Sequence, residues 1–280
     1  MTEAGEPETA WPLTGHEAAE QAFLEAFAQG RLHHGWLLEG PSGIGKATLA
    51  RRFAAFLLGA RGPETAPLTI SATDPKAQSV AAGGHPDLRW LQREVNDKGK
   101  LNQDITVGQV RDLNAFFSLR PALGGYRVGV IDAVDDMNRN GANALLKTLE
   151  EPPANTVLLL VHHGREPLLA TIRSRCRRLR LNRLPRDEAG KVAGTDTALA
   201  LRLADGRPGL ARRFASEAAL KAARAADAVY DALPRPRAED LSALLAAGRD
   251  ADAFEAAGAA LLDRLADASA HAPERAGAWL

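Results

Sequence analysis

The sequence has one cysteine, few aromatic residues and no net charge, and each shortage excludes a class of protein. With only Cys176 among 280 residues, neither an internal disulfide nor a zinc site of four cysteines is possible. Aromatic residues make up 5%, so the core must consist mainly of Ala, Leu and Val. Basic and acidic residues number 35 each, which leaves no overall field to attract nucleic acid or acidic lipid. Any contact with nucleic acid must come from a local patch.

Long apolar runs are also missing. The strongest run near a predicted strand, "TVLLLV", is far too short to cross a membrane. The first fifteen residues, "MTEAGEPETAWPLTG", are acidic and have no apolar centre, so they do not have the pattern of a signal peptide. We expect a cytoplasmic protein without a membrane partner, in a reducing compartment that suits the single thiol.

Short apolar strands alternate with helical patterns up to about residue 183. The predicted strands are "GWLLEG", "DLRWLQ", "YRVGVID", "TVLLLVHH" and, at an edge, "RRLRLNRL". This alternation predicts an α/β fold with a mostly parallel sheet covered by helices on both faces. A first helix is predicted after Thr14 as N-cap, and residues 60–85 are predicted to be a loop-rich surface excursion. From about residue 184 only helical patterns remain, in a small domain over 184–214 and a further piece over 215–280.

The segment "GPSGIGKATLA" closely resembles a phosphate-binding loop between a strand and a helix. Such a loop requires Gly, four residues, Gly, Lys and then Ser or Thr. The residues that fit are Gly40, Gly43, Gly45 and Lys46. The next residue is Ala47, which has no hydroxyl for Mg²⁺, and Thr48 lies one place late, about 100° further round the helix. The alternative is a glycine-rich turn unrelated to nucleotide binding.

A second feature of nucleotide sites, an acidic residue at the end of a neighbouring strand, is present only in part. "VGVIDAVDDM" has Asp132 at a predicted strand end, followed by Ala133 where a water-activating Glu would stand. Asp135 and Asp136 are expected to point elsewhere. Taken alone, Asp132 also suits an ordinary turn. The losses at Ala47 and Ala133 together argue against hydrolysis.

Several long segments resemble a known family. "RLHHGWLLEGPSGIGKATLA", "ITVGQVRDL", "GGYRVGVIDAVDDMNRNGANALLKTLEEPPANTVLLLV" and "TIRSRCRRLRL" are similar to delta-prime subunits of the bacterial DNA polymerase III clamp loader. The resemblance implies an AAA+ fold with a RecA-like domain (1–183), a helical lid (184–214) and a helical collar (215–280). It also implies a non-hydrolysing stator in a five-subunit ring with delta and the gamma or tau ATPase subunits. The ring loads the sliding clamp onto primed DNA during replication.

The resemblance assigns roles to individual residues. Ser174, Arg175 and Cys176 form the family's SRC motif, whose arginine reaches the ATP of a neighbouring subunit. Otherwise Arg175 belongs to a solvated basic run, together with Arg173, Arg177, Arg178 and Arg180. Arg212, in "GLAR", matches a second nucleotide sensor, or else it only pins the lid by hydrogen bonds. His162 and His163 stand where active relatives have a polar sensor.

The cofactor expectation follows from the same comparison. No cofactor is required, and retention of unhydrolysed ATP or ADP by the loop stays open. No zinc is expected, since "PETAPLTISATDPKAQSVAAGG" lacks the cysteines of the family's zinc module. Two other functions stay open: a self-sufficient AAA+ ATPase using Thr48 as its magnesium ligand, and a DNA-binding module using the arginines of 173–180.

Overall fold

The computed structural model of the chain describes residues 8–97, 99–165, 167–233 and 235–271. The chain divides into two compact units, Met1–Asn182 and Arg183–Leu280. Within the described residues, no helix has the length and apolar character that a membrane span requires. The predicted borders of the three domains, 1–183, 184–214 and 215–280, stay predictions.

The first unit contains one five-stranded sheet in the order β2-β3-β4-β1-β5. Its strands are β1 (Gly35–Glu39), β2 (Leu88–Leu91), β3 (Arg127–Asp132), β4 (Thr156–His162) and β5 (Arg177–Arg180). All four pairings are parallel, and β5 lies at an edge as predicted. Because the strands are parallel, their carboxyl ends share one edge of the sheet, where ligands of open α/β sheets usually bind.

Helices cover both faces of this sheet, which confirms the predicted fold class. Trp36 and Leu38 of β1 face one core, and Leu37 faces the other. The first core includes residues from α1 (Glu17–Ala28), α2 (Lys46–Leu57) and α3 (Pro75–Ala81). The second includes residues from α4 (Val107–Phe117), α5 (Arg139–Glu150) and α6 (Ala170–Arg173). The apolar strand runs are therefore buried on both sides.

Two local predictions for the first unit are wrong. The N-cap of α1 is His16 instead of Thr14, and its Nε2 is 2.6 Å from the Ile44 carbonyl oxygen, so a tertiary contact fixes this helix start. Residues 60–85 are not only a surface excursion, because they contain α3. The Asp74 side chain accepts hydrogen bonds from two backbone N–H groups at the start of α3, and Leu68 and Ile70 are buried in the core.

The second unit has helices and no strand among its described residues, as predicted. Its helices are α7 (Arg186–Ala193), α8 (Ala198–Ala204), α9 (Pro208–Phe214), α10 (Glu217–Asp231), α11 (Ala238–Ala247) and α12 (Ala251–His271). The buried residues of its core are alanines apart from Leu203, Leu210 and Phe214. Small side chains of this kind allow helices to approach closely, but each buries little apolar surface.

Candidate nucleotide site and exposed arginine

The glycine loop joins the carboxyl end of β1 to the first turn of α2. Gly40, Gly43 and Gly45 have φ values of +152°, +83° and +100°, which side-chain-bearing residues rarely adopt. A Cβ atom on Gly40 would also lie 2.4 Å from the Leu181 carbonyl oxygen. The structure therefore has the strand, glycine loop and helix in the order that a phosphate-binding loop requires.

Lys46, the first residue of α2, lies against this loop. Its Nζ donates hydrogen bonds to the carbonyl oxygens of Gly40 and Pro41, both at 2.5 Å, and the residue is only 2% exposed. Burial lowers the pKa of Lys46 to about 8, although the charges of Asp135 and Asp132 act in the opposite direction. The loop backbone thus stabilises an ammonium that burial would otherwise disfavour.

The residues after Lys46 offer no clear metal ligand. Ala47 and Thr48 both lie in the first turn of α2 and are half-buried. Within the described part of the chain, the Thr48 hydroxyl makes no hydrogen bond. The sequence places this hydroxyl one position away from the one that binds Mg²⁺ in active loops, and α2 is regular there.

Asp132 ends β3 at the same edge of the sheet. Burial raises its pKa, while Arg51 and Lys46 partly offset this effect. Asp135 and Asp136 follow in a 3-10 helix (Val134–Asp136) directly after the strand. The charge of Asp135 raises the pKa of Lys46 more than that of Asp132 does.

The fold supplies these carboxylates with partners from the protein itself. Asp135 accepts hydrogen bonds from the backbone N–H groups of His163 (2.7 Å) and Arg165 (2.9 Å). These bonds lower the pKa of Asp135 even though burial acts in the opposite direction. Asp136 pairs with Arg93 at 3.3 Å and with Arg165 at 3.0 Å. Sequence reasoning missed both arginines, which come from loops that only the folded sheet brings to this edge.

The residues of this edge fit the phosphates of a nucleotide better than they fit its metal ion. The glycines and Lys46 fit a phosphate group, since backbone N–H groups at a helix start and an ammonium are its usual partners. Asp135 and Asp136 do not fit Mg²⁺, because protein donors already occupy them, whereas the Asp132 carboxylate has no hydrogen bond or ion pair with another described residue. Across the described ranges, no three His, Cys, Asp or Glu side chains are grouped so that they could hold a metal ion by themselves.

The two histidines at the end of β4 differ in their surroundings. The Nε2 atom of His162 is 3.7 Å from Asp135 Oδ1. His163 has a buried Nδ1 without a hydrogen-bond partner in the described structure. Burial, with Lys46 adding to it, lowers the pKa of His163 to about 4. His163 is therefore neutral near pH 7 and does not add a cation to the loop.

Arg175 follows α6 and precedes β5, so it lies at the amino end of that strand. The glycine loop follows the carboxyl end of β1, which is parallel to β5. Arg175 and the loop therefore lie at opposite ends of the strands. The Arg175 Nη1 donates to the Thr171 carbonyl at 3.0 Å, and its Nη2 pairs with Glu150 Oε1 at 3.0 Å. The side chain is 36% exposed. The structure therefore does not bring Arg175 to the glycine loop of its own chain.

The other residues of the SRC motif and the basic run have local roles. The Ser174 hydroxyl donates to the Thr171 carbonyl at 3.2 Å. Burial, followed by the charge of Glu39, raises the pKa of the Cys176 thiol to about 12, so this cysteine is a packing residue. Arg177 lies over the Trp36 ring, and Arg178 pairs with Glu39 at 2.7 Å. The run is thus not a uniform solvated patch.

Arg212 belongs to the second unit, on α9. Its guanidinium donates to the carbonyl oxygens of Val192 (3.0 Å) and Ala193 (3.2 Å) at the end of α7. Carbonyls at a helix carboxyl end have no partner within the helix, so an arginine there is stabilising. This geometry agrees with the interpretation that Arg212 fastens the helices of its own unit.

Comparison with known proteins identifies the family. Residues 15–185 match the family model described as DNA polymerase III, delta subunit. The chain belongs to this family. Within the family, it is 47% identical over 145 residues to "DNA polymerase III subunit delta'" of Pseudomonas aeruginosa, covering 51% of this chain and 41% of that protein. It is 34% identical over 198 residues to the protein of the same name from Escherichia coli, covering 68% of this chain and 57% of that protein.

A DNA polymerase III subunit tau is similar as well. The protein of that name from Salmonella typhimurium is 33% identical over 178 residues, which cover 64% of this chain and 26% of that protein. The chain thus spans between 26% and 57% of the length of these three relatives. The similarity to the DNA polymerase III delta-subunit family that the sequence motifs predicted is confirmed.

Proposed function

We propose that this chain acts as a delta-prime-like subunit of a DNA polymerase III clamp loader and does not hydrolyse ATP itself. One observation carries the proposal. The glycine loop and Lys46 are kept, while Ala47 and Ala133 stand where a metal ligand and a catalytic base are needed, and Asp135 and Asp136 are paired with protein donors. A site of this kind suits a subunit that supports the activity of its neighbours.

The same proposal gives Arg175 a role in trans. The Arg175 guanidinium is partly exposed, and the residue lies at the amino ends of the strands, whereas the glycine loop of the same chain lies at their carboxyl ends. A planar, permanently charged guanidinium stabilises the charge that develops on a phosphate during transfer. Arg175 therefore acts as an arginine finger towards the ATP of an adjacent ATPase subunit.

The partners in this proposal are the gamma or tau ATPase subunits and the delta subunit. Through their ring the chain contributes to loading the sliding clamp onto primed DNA. No cofactor is required for this role. The loop residues that fit a phosphate, Gly40, Gly43, Gly45 and Lys46, hold ATP or ADP without hydrolysis if a nucleotide binds.

The test is ATP turnover by the chain alone and by the clamp loader reconstituted with it. The chain alone is expected to have no magnesium-dependent turnover, whereas Arg175→Ala lowers turnover by the assembly at least about 10-fold, a low bound compared with the roughly 10³–10⁵-fold that arginine fingers contribute. Arg173→Ala, an exposed arginine of the same run, is the matched control and leaves turnover unchanged.

Two results would contradict this proposal. Turnover by the chain alone that is abolished by Lys46→Ala and by Thr48→Ala would instead identify a self-sufficient ATPase. Full turnover by an intact assembly containing Arg175→Ala would remove the finger role. Ring assembly is measured in parallel, so that a loss of turnover is not confused with a loss of binding.

A further inference from the structure

The guanidinium of Arg175 contacts two different elements, and its Nη1 is also 3.5 Å from the hydroxyl of neighbouring Ser174. Glu150, the last residue of α5, lies 3.0 Å from Nη2, and the Thr171 carbonyl of α6 lies 3.0 Å from Nη1. Glu150 precedes Arg175 by 25 residues, so the contact between them depends on the tertiary fold. The two contacts engage both terminal nitrogens and fix the plane of the guanidinium group.

Both sides of this contact are anchored in the core. On the Glu150 side, Leu149 is 2% exposed, and its carbonyl oxygen is 3.0 Å from Nε2 of His34. On the Arg175 side, the next residue is Cys176, whose Sγ is 3.3 Å from where a Cβ of Gly35 would lie. The backbones that carry the two charged groups are thus fixed relative to each other.

Stability does not account for this ion pair. Arg175 is 36% exposed and Glu150 is 48% exposed, and exposed pairs of this kind contribute little to folding. Orientation is the larger effect, because a free arginine side chain loses rotamer entropy when it binds. A guanidinium already fixed in place loses less, and it has further N–H donors to offer.

We propose that Glu150 is a positioning residue: it orients the guanidinium of Arg175 before that group binds the phosphate held by a neighbouring subunit. The inference rests on the proposed trans role of Arg175. Glu150 does not contact the nucleotide and acts only through Arg175. The ligand of Arg175 is a nucleoside triphosphate bound by another chain.

The test compares five variants, Arg175→Ala among them, in the reconstituted clamp loader. Glu150→Ala is expected to lower kcat for ATP about threefold, with KM unchanged, because an arginine that is no longer held must lose rotamer freedom when it meets the phosphate. Glu150→Gln keeps an oxygen that accepts from the guanidinium and retains most of the rate. Glu151→Ala is the matched control, because within the described chain its exposed neighbouring carboxylate has no ion pair. Glu150→Ala combined with Arg175→Ala is no slower than Arg175→Ala alone.

Separate outcomes overturn the two proposals. A full rate with Glu150→Ala, when Arg175→Ala is strongly impaired, overturns the positioning role and leaves the finger role intact. A threefold loss that persists in the Arg175→Ala background, or that follows weaker ring assembly, also overturns it. A full rate with Arg175→Ala overturns the finger role, and the role of Glu150 falls with it.

Discussion

Lys46 is a buried cation whose protonation the fold makes unfavourable. Burial lowers its pKa from 10.5 to about 8, in spite of two loop carbonyls and two nearby carboxylates. Between pH 8 and pH 10.5 the unfolded chain therefore binds more protons at this residue than the folded chain does. Where the unfolded chain binds more protons, the free energy of unfolding rises with pH. Burial of the Lys46 ammonium therefore lowers the free energy of unfolding fully below pH 8, and this loss disappears as pH approaches 10.5.

Lys46→Met tests this directly. The free energy of unfolding of the wild type, relative to Lys46→Met, is expected to rise by about 2 kcal/mol from pH 7 to pH 9.5, because each pH unit corresponds to about 1.4 kcal/mol. The measurement is urea unfolding followed by tryptophan fluorescence. Exposed Lys147 is the control, and Lys147→Met should keep the pH dependence of the wild type. A flat difference between wild type and Lys46→Met would show that Lys46 is solvated in the folded state.

At the level of elements, the packing of α4 against the sheet depends on one glycine in a strand. Gly129 lies in β3, between β2 and β4. A Cβ there would lie 2.6 Å from Phe117 Cζ and 2.8 Å from Leu113 Cδ1, both on α4. The conflict is purely one of space, since Gly129 does not have a positive φ.

Gly129→Ala is therefore expected to destabilise the protein by about 1–3 kcal/mol, the usual cost of overpacking. Gly108→Ala is the matched control on α4 itself, where the only nearby atom is 3.6 Å from the added Cβ. In this exposed helical position alanine should be neutral or up to about 1 kcal/mol stabilising. Chemical denaturation of both variants checks the prediction, and equal stability of Gly129→Ala and wild type would mean that α4 shifts without cost.

Local patterns predicted elements whose signals lie within a few residues. β1, β3 and β4 are apolar runs with clear limits, and β5 has an arginine-rich pattern that suits an edge, so the sheet and the edge position of β5 followed from sequence. The signal for α3 was also present, as Asp74 before Pro75 and glycines after Ala82, but the many turn residues of 60–85 obscured it. The start of α1 was not readable, because it depends on a contact between His16 and Ile44, 28 residues away.

The residues of the candidate site also differ in whether a local sequence pattern predicts them. The glycine loop and the end of β3 could be predicted, since each has a local motif. The pairing of Asp136 with Arg93 and Arg165 could not, because these residues meet only when the strands align at one edge. The contact between Glu150 and Arg175 likewise requires the ends of α5 and α6 to be placed by the core.

At the scale of the whole molecule, the two compact units have cores of different composition. The first unit contains Phe23 and Phe53, stacked at 3.9 Å between ring centres, beside fully buried Trp36. In the core of the second unit, the described buried residues are mostly alanine, with Phe214 as the largest. Since stabilisation follows the apolar area buried, we expect the second unit to unfold at the lower temperature.

Scanning calorimetry of the full chain should then show two transitions, and one variant in each core assigns them. Phe214→Ala removes the largest side chain of the second core at a cost of about 3–5 kcal/mol, and it should lower the first transition by roughly 10 °C or more. Phe53→Ala should lower the second transition and leave the first unchanged. If both variants move one common transition instead, the two units unfold cooperatively and stability is a property of the whole chain. Two separate transitions would mean that the alanine-rich helical core of the second unit unfolds first and determines the lower melting temperature of this protein.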